Sequence, residues 1–183
     1  LAAAGADLAR IVALDAVRTV DSAGSASHES TFSLACDLDV LERVVRSLDN
    51  CRLVVIDPIT AYLGRSDSHK NAEMRALLAP LSELAARTGV AVLAVNHLNK
   101  MGQGPAIYRS MGSLAFAATA RSVLAVLADP YQPEARLLVS LKSNVAAAVA
   151  GLGFRVATSE AAIDSDMPMP VVRWNQQPVH MTA

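Results

Sequence analysis

The sequence predicts an α/β fold with a mostly parallel central sheet, flanking helices and antiparallel strands at its carboxyl-terminal edge. Runs of aliphatic residues alternate with segments of helical period, as in a sheet that helices cover on both faces. The last apolar runs follow one another without long helices between them, which is typical of antiparallel strands. The 183 residues suffice for one domain with a sizeable core.

Apolar spacing assigns the elements in chain order. The segments predicted to be strands are 10–17, 52–57, 90–97, 122–129, 135–142, 153–159 and 171–176. The segments predicted to be helices are 37–50, 71–88 and 110–120. We expect a kink or a restart at Pro80, because proline removes a main-chain donor, and a helix stop at Gly89. Loops rich in serine, glycine and charge are predicted over 19–31 and 98–110.

Composition excludes several classes of protein. A net charge of -1 removes a global basic footprint for nucleic acid, although local patches remain compatible with it. No apolar run approaches the roughly 20 residues of a membrane-spanning helix. The first residues lack the basic region of a signal peptide. Two cysteines, Cys36 and Cys51, indicate a reducing compartment rather than a disulfide scaffold. We therefore expect a cytoplasmic protein with no membrane partner.

Two predicted strands lead into polar residues that could carry chemistry. Asp57 follows an aliphatic strand and precedes Pro58, and His97 ends the next strand. The helix 71–88 crosses between these strands, so we expect neighbouring strands and side chains within ~10 Å, the scale of a hydrated Mg²⁺·phosphate group. A carboxylate there can hold Mg²⁺, which is the Walker B arrangement of nucleotide hydrolases. The alternatives are that Asp57 caps the turn at Pro58 and that His97 is structural.

Four segments in order resemble the RepA-type ATPases, a branch of the RecA-like superfamily related to DnaB-type replicative helicases. They are LVVIDPITAYLG, MRALLAPLSELAARTGVAVLAVNHLNK, GSLAFAATARSVLAV, and LLVSLKSN followed by GLGFRV. The resemblance covers most of the chain. It implies a RecA-like P-loop NTPase core that uses ATP and Mg²⁺, in a DNA helicase or replication-associated ATPase. It also implies a homo-oligomer, a hexameric ring in the intact protein, that moves single-stranded DNA.

The resemblance implies a role for each matching residue. Asp57 matches the Walker B aspartate, the Mg²⁺ ligand, and His97 matches the sensor of the γ-phosphate. Lys142 matches a lysine that reaches across a subunit interface to the neighbour's nucleotide. Arg121 matches a family arginine just before the next strand, with a sheet-edge salt bridge as the alternative. This chain has Asn144 where DnaB-type proteins carry an arginine two residues after that lysine.

The resemblance also implies a mobile loop over 98–111 that faces single-stranded DNA in the central channel. Its cations are Lys100 and Arg109. They would make sequence-independent contacts with the DNA backbone, which weaken steeply with salt.

The P-loop of the superfamily, G-x-x-x-x-G-K-[ST], does not occur in the 183 residues. We therefore expect residues 1–183 to be the carboxyl-side part of a single RecA-like core, truncated before residue 1 and inactive alone. One alternative is a catalytically inactive RecA-like module for binding or assembly. Another is an unrelated flavodoxin-like ligand binder, which would leave NHLNK and LKSN unexplained. An in-frame P-loop upstream in the encoding DNA would favour the ATPase.

Overall fold

The structure, a computed structural model, describes residues 1, 4–14, 16–20, 27–64, 71–97, 114–147, 150–159 and 168–179. The chain divides into two compact units. The helical unit is Leu14–Thr119, and the strand unit joins Leu1–Ala13 to Ala120–Ala183. A single RecA-like core over residues 1–183 stays a prediction. No helix in the described part of the chain is both long and apolar enough to cross a membrane.

The helical unit is built around one parallel pair of strands. Its strands are β1 (Val17–Val20), β2 (Ser27–Ser30), β3 (Leu53–Ile56) and β4 (Ala91–Ala94). Its α-helices are α1 (Leu38–Ser47), α2 (Asn71–Thr88) and α3 (Leu114–Thr119). β3 and β4 are parallel, with Leu53 opposite Ala91 and Ile56 opposite Ala94. Because α2 connects them, β3, α2 and β4 form a βαβ unit, which confirms the predicted neighbours. Within the described ranges this is the one parallel pair.

The prediction of a strand over 10–17 is wrong. A 3-10 helix occupies Leu8–Arg10, and the β ladder begins only at Val17. Ile11 has extended backbone angles but belongs to no strand of the described sheets. Ile11 and Val12 are exposed, so burial of their apolar side chains does not stabilise a strand at this position.

The prediction of a loop over 19–31 is also wrong in part. β1 and β2 pair in antiparallel register, from Val17 opposite Ser30 to Val20 opposite Ser27. The sequence of β2, SHES, has no apolar alternation, which is the signal that reveals a strand. Main-chain hydrogen bonds pair a polar strand with β1, whose Val17 is buried in the core, and the polar strand gives no hydrophobicity pattern to detect.

Helices cover one face of the β3–β4 pair. Val54 and Val92 pack against the core of the helical unit, and Ile56 is buried within it. On the opposite face, Leu53 is 53% exposed and Leu93 is 49% exposed. In the described residues the pair is therefore covered on one face, whereas its aliphatic sequence predicts cover on both.

α2 continues as one helix through Pro80, so the expected restart does not occur. Proline in a helix interior removes one main-chain hydrogen bond. Apolar burial on one side of α2 offsets this cost, and the buried side chains are Met74, Leu77, Leu78, Leu81 and Leu84. The helix ends at the predicted Gly89, whose φ is 73° and whose N–H donates to the carbonyl of Ala85 at 2.9 Å.

The strand unit contains an antiparallel sheet of four strands in chain order. These are β5 (Ser122–Ala128), β6 (Ala135–Ser143), β7 (Gly151–Ser159) and β8 (Met169–Val179). They confirm the four carboxyl-terminal strands that the sequence predicts. Gly153 allows β8 to approach closely, because a Cβ at this position would lie 2.5 Å from the Asn175 amide nitrogen.

Glu42 links α1 to α2 through Arg87 and also binds Arg46 of its own helix. Its carboxylate accepts hydrogen bonds from Arg87 and from Arg46, each at 2.7 Å. The Arg87 hydrogen bond, followed by that of Arg46, lowers the pKa of Glu42 from 4.5 to about 2. Arg46 belongs to α1 and Arg87 to the last turn of α2, so one carboxylate connects the two helices.

We predict that Glu42→Gln destabilises the protein at neutral pH and that this effect disappears in acid. The pKa of Glu42 is depressed in the folded state, so its stabilisation is complete above 4.5 and is lost as the pH falls through about 2. Urea unfolding of wild type and variant across this range measures the effect.

The matched control is Glu83→Gln. The Glu83 carboxylate is 3.8 Å from the Arg87 guanidinium and is exposed, so its loss should change stability little. Equal destabilisation by the two variants, or a difference for Glu42→Gln that does not depend on pH, would contradict the prediction.

Candidate functional site

The chain segments that carry Asp57 and His97 leave neighbouring strands at the same edge of the sheet. Asp57 directly follows β3, and His97 lies three residues after β4. The N–H of Val95 donates to the carbonyl of Ile56 at 2.9 Å, and the N–H of Ile59 donates to the carbonyl of Val95 at 2.9 Å. These bonds extend the pairing past the strand ends. The segment that leads to His97 therefore stays beside the turn that begins at Asp57.

Both candidate side chains are exposed at this edge. Ile56 is 6% exposed, so the chain passes from the core to the surface within one residue. The Asp57 carboxylate therefore avoids the cost of burial without a partner. This explains how an aliphatic strand can be followed by an acid. The Walker B role of Asp57 and the sensor role of His97 stay predictions.

The donors at this edge suit a magnesium ion that is shared with a phosphate. Mg²⁺ usually keeps several waters and takes one or two carboxylates together with phosphate oxygens. Asp57 supplies one carboxylate, and His97 supplies an imidazole that can donate a hydrogen bond to a phosphate oxygen. Among the residues that the structure describes, no group of three or more His, Cys, Asp or Glu could hold a metal. One carboxylate and one imidazole are compatible with an ion that takes its other ligands from water and phosphate.

Lys142 lies on β6 in the strand unit, and its own chain holds it. Its Nζ donates a hydrogen bond to the carbonyl of Ala120 at 2.8 Å in a partly buried position. At the same end of the sheet, the N–H of Asn144 donates to the carbonyl of Arg121 at 2.9 Å. An ammonium group has three N–H donors, so this bond orients the side chain without excluding a second acceptor. The proposed role of Lys142 toward a neighbouring nucleotide stays a prediction.

Arg121 is exposed and immediately precedes β5. The ion pairs found among the described residues do not include it, so the alternative sheet-edge salt bridge is absent there. Arg121 and Lys142 lie near each other at one end of the β5–β6 pair, since Val123 is opposite Lys142. These two cations belong to the strand unit, whereas the carboxylate and the imidazole belong to the helical unit.

Lys100 and Arg109, the predicted DNA-binding cations, lie outside the described residues, as does the whole predicted loop 98–111. The next described residues form α3, Leu114–Thr119, which falls within the predicted helix 110–120. The DNA-binding loop stays a prediction.

The sequence does not predict a groove of about 770 Å³ in the helical unit. Its described lining contains Glu73 as the charged residue, and the other lining residues are Ser33, Leu34, Ala35, Cys36, Leu38, Gly64, Ala76, Leu77 and Pro80. A Cβ at Gly64, which has a φ of 65°, would lie 3.0 Å from Ser33 Oγ. The sequence signal for this groove is Gly64, a glycine after the turn that follows β3. The same signal occurs in ordinary turns, so it does not predict a groove.

A search of curated proteins finds no match. The family model described as AAA domain matches residues 1–103, which is more than half of the 183 residues. The matched range includes Asp57, His97 and the whole β3–α2–β4 unit, and it ends before Arg121 and Lys142. Dependence on nucleotide and Mg²⁺ is general for proteins of this kind. The chain thus belongs to the AAA domain family of nucleotide-binding ATPases.

Proposed function

We propose that this chain is the carboxyl-side part of a RepA-type, RecA-like ATPase, which couples Mg²⁺·ATP hydrolysis at subunit interfaces to movement of single-stranded DNA. One observation carries the proposal: Asp57 leaves β3 beside the segment that leads from β4 to His97. Open α/β sheets bind ligands beyond the carboxyl ends of their strands. The family match supports a nucleotide as the ligand, and the four resembling segments support the RepA-type branch.

Each side chain has a distinct task in this proposal. Asp57 holds Mg²⁺, which neutralises developing charge on the transferred phosphate when it is bound. His97 donates a hydrogen bond to the terminal phosphate, and its place just before segment 98–111 couples that contact to the DNA-binding loop. Lys142 and Arg121 supply positive charge from the strand unit. A fixed cation at a partly dry interface stabilises a transition state more than the same cation does in water.

The proposed partners are further copies of the chain, arranged as a hexameric ring, and single-stranded DNA. Lys142 requires a neighbouring subunit, because its role is directed at the neighbour's nucleotide. DNA contact has to be local, because the net charge of the chain is -1. Lys100 and Arg109 in segment 98–111 are the local cations that this proposal assigns to DNA.

The second candidate function is a catalytically inactive module for binding or assembly. The observation in its favour is that the 183 residues contain no G-x-x-x-x-G-K-[ST] sequence. The two candidates predict different behaviour of a longer chain. With a P-loop ahead of residue 1, the ATPase hydrolyses ATP and the inactive module does not.

We predict that the 183-residue chain binds Mg²⁺·ATP more weakly than micromolar, because the P-loop supplies most phosphate contacts in such sites. In a longer chain with a P-loop ahead of residue 1, Asp57→Asn should preserve ATP binding and slow hydrolysis by about 100-fold or more. Calorimetry measures the binding, and phosphate release measures the hydrolysis.

Asp49→Asn is the matched control, because Asp49 is an exposed carboxylate in the turn before β3, at the opposite end of that strand. It should leave hydrolysis unchanged. Micromolar ATP affinity of the 183-residue chain would contradict the first prediction. Wild-type hydrolysis by the Asp57→Asn chain would contradict the Mg²⁺ assignment. A longer chain that has a P-loop and does not hydrolyse ATP would favour the inactive module.

We predict that Lys142→Ala in the longer chain abolishes DNA-stimulated hydrolysis and leaves ATP binding nearly intact. A mixing experiment then separates action on the neighbour from action within one subunit. Mixed assemblies of Lys142→Ala and Asp57→Asn subunits should regain part of the activity, because some interfaces join an intact Asp57 to an intact Lys142. Phosphate release by the mixture, compared with each variant alone, is the readout. Wild-type activity of Lys142→Ala alone, or no recovery on mixing, would rule out the proposed role.

We predict that Lys100→Ala combined with Arg109→Ala weakens single-stranded DNA binding and spares hydrolysis without DNA. Each phosphate contact on a single strand contributes roughly 0.7 to the slope of log affinity against log salt, so the slope should fall by about 1.4. Fluorescence anisotropy of labelled DNA at several salt concentrations measures it. The double variant Arg52→Ala with Arg75→Ala removes two exposed cations elsewhere and should leave the slope unchanged. If both double variants lowered the salt slope equally, the assignment of Lys100 and Arg109 as the DNA-binding cations would be wrong.

A further inference from the structure

One face of the β5–β8 sheet is apolar and open to solvent. Alternate residues of the strands lie on it, and the pairing places them side by side. Val126 is opposite Leu138, and Leu138 is opposite Leu152. The next strand pair sets Phe154 opposite Trp174. The apolar face is formed by Leu124, Val126, Leu138, Leu152, Phe154, Val156, Val172 and Trp174.

The exposure of this apolar face is large for a single protein. Six of its side chains are between 44% and 61% exposed: Leu124, Val126, Leu152, Val156, Val172 and Trp174. Together they leave on the order of 500 Å² of apolar surface in water, near the upper limit for the largest patch on an ordinary monomer. The opposite face of the same sheet is buried at Ala125, Ala135 and Leu137. Two faces of one sheet therefore differ sharply in their contact with water.

Trp174 is a fixed anchor on β8, at one edge of the apolar face. Its ring lies 5.1 Å from that of Phe154 at an angle of 57°, and Phe154 is 9% exposed. The contact orders the Trp174 side chain and leaves 54% of the residue exposed. An aromatic side chain that is ordered before binding loses little conformational freedom on association, which is typical of the residues that dominate interfaces.

The charges near the apolar face do not select a charged partner. The strand positions that form it include no carboxylate in the described residues. Arg136 lies among them, and its guanidinium donates to the carbonyls of Pro133 and Ala135, each at 2.8 Å. Lys142 is held by the carbonyl of Ala120. Both cations keep their charge but are held by main-chain carbonyls, and the other positions of the face are uncharged and apolar, so they match another surface of the same kind.

We propose that the apolar face is an interface between two copies of this chain, in which the same surface of each copy packs on the other. A stable interface covers about 800 Å² on each partner, and the apolar face with its polar rim supplies most of that area. A contact between identical surfaces pairs subunits, whereas the role of Lys142 needs contact between different surfaces. This proposal is therefore independent of the proposed ATPase function.

Sedimentation velocity of the 183-residue chain at increasing concentration tests the proposal. The chain should pass reversibly from monomer to dimer. Val156→Asp should weaken the dimer at least tenfold, about 1.4 kcal/mol, because a carboxylate would be buried without a partner. Val126→Asp on β5 tests the same face and serves if Val156→Asp fails to fold. Val145→Asp is the matched control, because Val145 is 66% exposed and lies in the turn after β6, outside the apolar face.

The fluorescence of Trp174, the one tryptophan of the sequence, identifies the surface that is used. Its emission should shift to shorter wavelength as the dimer forms, and Asp57→Asn should leave both the shift and the dimer unchanged. A chain that stays monomeric at all concentrations would overturn the proposal. Equal weakening by Val145→Asp would also overturn it. So would a monomer whose Trp174 emission responds to single-stranded oligothymidine, which would make DNA the occupant by base stacking.

Discussion

Parallel pairing between β3 and β4 is the constraint on which the candidate site depends. Parallel strands need a long connection, and α2 supplies it while burying one side of itself against the pair. The two strands then end at the same edge, where the carbonyl of Ile56 and the peptide group of Val95 bind the departing chains together. The acid after one strand and the imidazole after the other are brought to one edge by the backbone. Both side chains are exposed there.

Much of this arrangement could be predicted from the sequence, because it follows from burial. The apolar positions of α2 recur at helical spacing, and five of them are buried. Four aliphatic residues before Asp57 predict a strand, and the crossover helix predicts its neighbour. The four carboxyl-terminal strands are also confirmed. In each case the element forms because apolar side chains are removed from water. Hydrophobic periodicity in the sequence reports the same burial.

The features that the sequence does not predict concern terms with no apolar signature. The β1–β2 ribbon forms through main-chain hydrogen bonds, with a polar sequence in its second strand. α2 passes through Pro80 because packing on its other side outweighs one missing hydrogen bond. The bond from Lys142 to the Ala120 carbonyl joins residues 22 positions apart, and no local pattern encodes it. The exposed faces of the β3–β4 pair and of the β5–β8 sheet are not predicted, because aliphatic residues in a strand do not reveal what packs on them.

The bond between Lys142 and Ala120 fixes where this ammonium group lies before any ligand arrives. An ammonium group carries three N–H donors, so an incoming anion does not have to displace the carbonyl that lies 2.8 Å away. A phosphate or carboxylate would add a charge-assisted bond, about twice as strong as a bond to a neutral acceptor. The backbone of the strand unit therefore orients the lysine in advance, and a side chain that is already ordered loses less conformational freedom when it binds.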